Sequence, residues 1–123
     1  MKYFDISDFD SPDEIGSGSK MSEVLLRILS LVREEYGKPI YINSGYRTIS
    51  HNENVGGKSN SSHLRGLAID ITDNNKRQKM CSSNRFKLIE LFMDYGVNRI
   101  GVSDMFIHFD IDDMKSPNVM WIY

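Results

Sequence analysis

The stretch "FIHFDID" at 106–112 constrains the fold of this chain more than any other. Side chains alternate along an extended strand, so Ile107, Phe109 and Ile111 share one side while Phe106, His108, Asp110 and Asp112 share the other. Such a strand must bury one face and leave titratable groups on its back. "LAIDI" at 67–71 follows the same rule, with Ala68 and Asp70 opposite Ile69 and Ile71. Two strands of this kind predict a sheet with one face in a core and potential metal ligands on the other.

The remaining pattern supplies the cover for that core. Apolar residues at Met21, Val24, Leu25, Ile28, Leu31, Val32 and Tyr36 have helical spacing, with Ser19 or Ser22 as a cap and Gly37 and Pro39 as the stop. "PIYINSG" (39–45) reads as a short buried strand that runs into a Gly/Ser/Asn-rich loop, with one helical turn around 50–55. Phe86, Leu88, Ile89, Leu91, Phe92 and Tyr95 mark a second amphipathic helix before Gly96. "RIGVS" (99–103) is a further strand signal, and "VMWIY" follows as an aromatic tail. Helix, strands, helix, strands predicts a small α+β domain spanning 1–123, its helices packed on a mostly antiparallel sheet, with 1–18 as a lead-in.

Composition excludes several function classes. A net charge of −2 argues against a nucleic-acid binder, and "NNKRQK" at 74–79 is short enough to be solvated loop. The single cysteine, Cys81, rules out an internal disulfide and a thiolate zinc cluster. No apolar run approaches the ~18–20 residues of a membrane span. The acidic N-terminus lacks the apolar core of a signal peptide, so synthesis as a soluble cytoplasmic protein is expected; a monomer is expected as well.

The chain has three histidines, His51, His63 and His108. His63, Asp70 and His108 together offer two imidazoles and a carboxylate, which leaves a fourth zinc position open for water. Gly66 would let the backbone turn tightly enough to fold His63 over Asp70. The residues alone leave two readings open, a metal site or a strand-end acid beside satisfied structural histidines.

"SGYRT" (44–48), "HNENVGG" (51–57), "SSHLRGLAIDI" (61–71) and "FIHFDID" together resemble the zinc D-alanyl-D-alanine peptidase family, peptidase family M15, and its small phage and prophage members above all. The pattern Ser-x-His-x-x-Gly-x-Ala-x-Asp is matched by Ser61, His63, Gly66, Ala68 and Asp70. The resemblance implies a zinc ion held by His63, Asp70 and His108. It implies hydrolysis of a peptide bond in the bacterial peptidoglycan stem peptide, of carboxypeptidase or endopeptidase type. The alternative on the same scaffold is a zinc-containing binding module without catalysis. A phage-type member without export signal suits release to the cell wall during lysis.

Arg47 stands where the family carries an arginine that contacts the substrate carbonyl or carboxylate, a role that suits a permanently charged planar fork. His51 and Ser61 are expected to brace the loops or support the ligands from behind. Many members carry a carboxylate three residues before the last zinc histidine, and here that residue is Met105. Asp110 is the expected general base, roughly 6.5 Å from His108 along one strand face. Asp104 is the alternative, roughly 13 Å away unless the chain folds back.

Overall fold

The structure, a computed structural model, describes residues 1–123. Three helices, α1 (Glu23–Tyr36), α2 (Ile49–Asn54) and α3 (Ser82–Asp94), accompany five strands. These are β1 (Tyr41–Ser44), β2 (Ala68–Thr72), β3 (Arg99–Val102), β4 (Ile107–Asp110) and β5 (Val119–Ile122). Short 3-10 turns lie at Ile6–Phe9, Ser17–Lys20 and Ser62–Arg65. The sheet order is β1-β2-β4-β3-β5, antiparallel except for the parallel pair β3–β5. An α+β domain with helices on a mostly antiparallel sheet is therefore what the chain forms.

Alternation in β2 and β4 sorts the residues as the sequence predicts. Ile69, Ile71, Ile107 and Phe109 are fully buried in one core, where Phe109 stacks on Phe92 of α3 at 3.8 Å between ring centres. The Ser22 side chain caps α1 by accepting from the Leu25 backbone N–H, and Gly37 ends it in the left-handed region at φ +74°.

Three details differ from the sequence reading. The buried stripe of α1 is Leu25, Leu26, Leu29, Val32 and Tyr36, while Val24 and Leu31 face solvent. Two helical phases overlap in this leucine-rich segment, and the one that includes Leu26 and Leu29 buries more apolar surface. Phe86 is likewise exposed at 71%, because it lies two residues, about 200°, around α3 from Leu88. The "VMWIY" tail is strand β5, joined to β3 through bonds such as Tyr123 N–H to the Val102 carbonyl at 3.0 Å.

The lead-in belongs to the same core. Phe4 and Phe9 are buried in it, and the Phe9 carbonyl accepts from the Tyr46 N–H at 2.9 Å. Gly45 lies against Phe9 so closely that a Cβ there would come within 2.8 Å of the Phe9 backbone. Removing the Phe9 ring should accordingly cost about 3–5 kcal/mol of stability, as large-to-small changes in a tight core do. Urea unfolding of Phe9→Ala checks this. Ile15→Ala, at a 99% exposed position, should change stability by less than about 0.5 kcal/mol.

Candidate metal centre

Register places the site. Across the sheet Ser44 pairs with Asp70, Asp70 with His108, His108 with Gly101, and Gly101 with Trp121. These five residues form one row on the face opposite the core. The missing side chain at Gly101 opens the row, and a Cβ there would meet the Trp121 Nε1 at 2.6 Å. Trp121 fills that space and brings its ring centre within 5.3 Å of the His108 ring.

His63 reaches the row from the 3-10 turn Ser62–Arg65. Ser61 accepts from the His63 N–H at 3.3 Å, and Gly66 closes the turn at φ +67°. Any Cβ at 66 would lie 2.2 Å from the Lys20 carbonyl oxygen, so the tight turn expected of this glycine is enforced by packing as well.

His63 Nε2 lies 3.2 Å and His108 Nδ1 2.9 Å from Asp70 Oδ1, and one ligand atom from each residue falls within 4.8 Å of the others. All three residues are buried. Each imidazole has its outer nitrogen tied to an acceptor. His63 Nδ1 donates to the Gly45 carbonyl at 2.7 Å, and His108 Nε2 donates to Asp110 Oδ2 at 2.7 Å. With a metal ion bound, those outer bonds would hold each imidazole in the tautomer whose inner nitrogen offers its lone pair to the ion, the pattern that backs metal-binding histidines. Two imidazoles and one carboxylate, buried, oriented and without a thiolate, suit zinc with an open coordination position.

Charge at the centre follows from these contacts. Burial pushes the Asp70 carboxyl up, but hydrogen bonds from His108 and His63 outweigh it and hold it well below the usual carboxylate range. Burial pushes the His108 imidazole down, and its bonds to Asp110 and Asp70 raise it overall.

Arg47 lies against the same carboxylate, its Nη2 3.4 Å from Asp70 Oδ2. Nε donates to Ser44 Oγ at 3.0 Å and Nη1 to Asn52 Oδ1 at 3.2 Å, so the guanidinium is fixed on two sides. Asn52 is 98% buried by its 2% exposure and also donates to the Lys58 carbonyl at 2.9 Å. Sequence reasoning singled out His51, its neighbour, for a supporting role. The structure keeps His51 half-exposed on α2 and out of the cavity wall, and Asn52 makes the contact. The signal was the shared segment "HNENVGG", with the polar residue off by one position.

Neither expected base presents a free carboxylate to the centre. Asp110 is buried at 1% side-chain exposure. Its Oδ2 is taken by His108 and its Oδ1 by Arg99 Nε at 2.7 Å and by the Asp112 N–H at 3.2 Å. Asp104 is 59% exposed, pairs with Lys79 at 3.6 Å and does not line the cavity. Met105 lines a different cavity. Around the centre is a cleft of about 700 Å³, in which Asp70 and Asp110 are the only carboxylates, and Arg47, Lys58, Arg99 and Lys115 supply positive charge.

A model of the family described as Peptidase M15 matches residues 6–110. The chain belongs to the peptidase M15 family. The match covers His63, Asp70 and His108 and ends before β5, which carries Trp121. The zinc D-Ala-D-Ala carboxypeptidase of Streptomyces albus G is 42% identical over 64 residues, covering 45% of this M15 chain. That stretch is 25% of the relative, so the chain spans a quarter of that protein's length. No helix of the chain is long and apolar enough to cross a membrane.

One polar clamp that the sequence did not reveal holds the His63 turn to the end of β4. Asp112, with 0% side-chain exposure, accepts from Ser62 Oγ at 2.7 Å and from Arg65, while Lys115 Nζ donates to Ser62 Oγ at 3.0 Å. Burial pushes the Asp112 carboxyl up, but the bonds from Ser62 and Arg65 bring it below its ordinary value. Asp112→Asn should cost about 1–3 kcal/mol near pH 7 by weakening a buried, charge-assisted cluster. A depressed folded-state value means that this contribution is full above the unfolded value of about 3.9 and disappears as pH falls through the folded one. Urea midpoints of the two proteins should therefore differ at neutral pH and converge in acid. A gap that stays constant with pH would remove the charge of Asp112 from the account.

Proposed function

We propose that the protein is a zinc-dependent peptidase that hydrolyses a peptide bond in the peptidoglycan stem peptide, of D-Ala-D-Ala carboxypeptidase or endopeptidase type. The observation that carries this reading is the convergence of His63, Asp70 and His108, each imidazole backed by its own acceptor, inside the family match. The name of the Streptomyces relative supports the substrate class. The phage-type resemblance supports action on the wall during lysis.

A zinc ion at this centre would supply a Lewis acid for the scissile carbonyl and lower the pKa of a water molecule toward neutrality. His63, Asp70 and His108 would hold it. Arg47, already oriented by Ser44 and Asn52, stabilises the negative charge that develops on the carbonyl oxygen. Asp110 acts through His108, because both of its oxygens are occupied. The same absence of a free carboxylate favours a second reading, a zinc-binding module that holds the peptide without cleaving it.

Mass analysis of stem-peptide fragments after incubation with the zinc-loaded protein separates the two. Release of D-alanine or of a cross-linked partner, stopped by a chelator and restored by zinc, is the expected outcome; intact peptide with bound zinc would leave the module. His63→Ala should lose most of the roughly one zinc per chain expected of a single such site. Arg47→Lys should retain zinc and lose about 10²–10³-fold in turnover, the scale of losing an oxyanion donor.

Asp110→Asn distinguishes positioning from proton transfer. A positioning partner should weaken zinc affinity by about 10–100-fold, with turnover recovering at high zinc. A loss of about 10²–10⁴-fold that persists at saturating zinc would instead make Asp110 the base.

A further inference from the structure

A second cavity of about 820 Å³ lies beside the metal cleft and takes no part in the chemistry described so far. Thr72 lines it from β2, two residues beyond Asp70 and on the same strand face, roughly 7 Å further along. The boundary repeats just before β4, where Met105 lines this cavity and its neighbour Phe106 lines the metal cleft. One extended substrate could occupy both.

Beside the charged Asp8, Arg33 and Arg77, the lining carries neutral hydrogen-bonding groups without partners inside the protein. Thr72 is only 5% exposed, yet its hydroxyl oxygen is buried without a partner. Such orphans are uncommon in folded proteins and call for an explanation. Side-chain amides of Asn43, Asn75 and Gln78 reach the same cavity and make no hydrogen bond inside the protein. Tyr41 lines it as well, while the Tyr3 ring carries the Arg33 guanidinium on its face at 4.2 Å.

The loop that presents two of those amides is rigid. Asn74 Oδ1 accepts from the Lys76 and Gln78 N–H groups at 3.0 and 3.3 Å, while its Nδ2 donates to the Gln78 carbonyl at 3.1 Å. Asp73 anchors the loop to the start of α3 by accepting from Cys81 N–H and Asn84 Nδ2, both at 2.9 Å. Arg77 sits at φ +56°, a conformation that costs energy for any residue with a Cβ. Strain held by a braced loop beside unpartnered polar groups is the arrangement of a preformed binding site.

We propose that this cavity binds an N-acetylhexosamine glycan, the sugar to which the stem peptide is attached. An amide side chain both donates and accepts, so three of them match the hydroxyl and acetamide groups of such a sugar. An aromatic ring suits the C–H face of such a sugar, an amphipathic match that Tyr41 can serve. This inference rests on the stem-peptide reading of the metal cleft and extends that substrate to its sugar end.

The test is binding, read independently of hydrolysis. Zinc-loaded, isotope-labelled protein is titrated with the β-1,4-linked tetramer of N-acetylglucosamine and followed by two-dimensional NMR. Saturable shifts of the Asn43, Asn75 and Gln78 side-chain amides and of the Thr72 backbone are expected. The double variant Asn43→Ala, Gln78→Ala, at exposed positions, should bind about ten-fold more weakly or worse, the scale of losing neutral hydrogen bonds. Its backbone spectrum elsewhere should match wild type.

No shifts at millimolar tetramer, shifts confined to the cleft around Arg47 and Trp121, or unchanged affinity in the double variant would each overturn the proposal. So would equal shifts with a sugar-free stem peptide, which would make the cavity a peptide site. If the tetramer binds as expected while stem peptides stay intact, the hydrolase reading fails and the glycan site stands. If peptides are cleaved and the tetramer does not bind, the glycan site alone fails.

Discussion

The site depends on one buried carboxylate and the strand register that faces it with an imidazole. Asp70 and His108 are direct partners across β2 and β4, 2.9 Å apart between Oδ1 and Nδ1. Burying a carboxylate without partners costs several kcal/mol even after the protein relaxes around it. Here His63, His108 and Arg47 all face it, so the charge is kept rather than neutralised. A slip of one residue between the strands would turn His108 into the core and Phe109 toward the cleft. The apolar face, with Ile69, Ile71, Ile107 and Phe109 fully buried, thereby enforces the polar one.

Each group around Asp70 has its own support, drawn from distant parts of the chain. His108 is held by Asp110, which Arg99 holds in turn, and Arg99 lies 5.3 Å from the Trp121 ring. His63 is held by the Gly45 carbonyl, and Gly45 packs on Phe9 of the N-terminal segment. Residues around Arg47 are tied to that segment as well, through Thr48 N–H to Ser11 Oγ at 3.2 Å and Thr48 Oγ1 to Asp13 Oδ2 at 2.6 Å. The first residues of the chain thus serve as a backing plate for the Arg47 loop and the His63 turn.

What the sequence disclosed was local in origin. The two-residue period of "FIHFDID" and "LAIDI" sorts core from cleft with no knowledge of partners, and the glycine at 66 announces the left-handed turn after His63. What stayed hidden depends on contacts far along the chain. Strand β5 is four residues long and pairs in parallel with β3, so nothing in its own spacing announces it. Phe9 stands in a stretch of Asp, Ser and Gly that resembles loop, and Asn52 becomes a brace for Arg47 only once α2 is placed. Leucines on both sides of α1 leave its buried stripe ambiguous in the sequence, and packing selects Leu25, Leu26 and Leu29. Sequence spacing gives the distance from Asp110 to His108 but not the partners on both its oxygens, which come from β3, from His108 itself and from the chain beyond β4.

The most direct measurement is anomalous X-ray scattering at the zinc edge from crystals of the zinc-loaded protein. A single strong peak bonded to His63 Nε2, a carboxylate oxygen of Asp70 and His108 Nδ1, with Asp110 still on His108 Nε2, is the expected result. A peak held by other side chains, or zinc-loaded crystals with no peak between these three residues, would contradict the account.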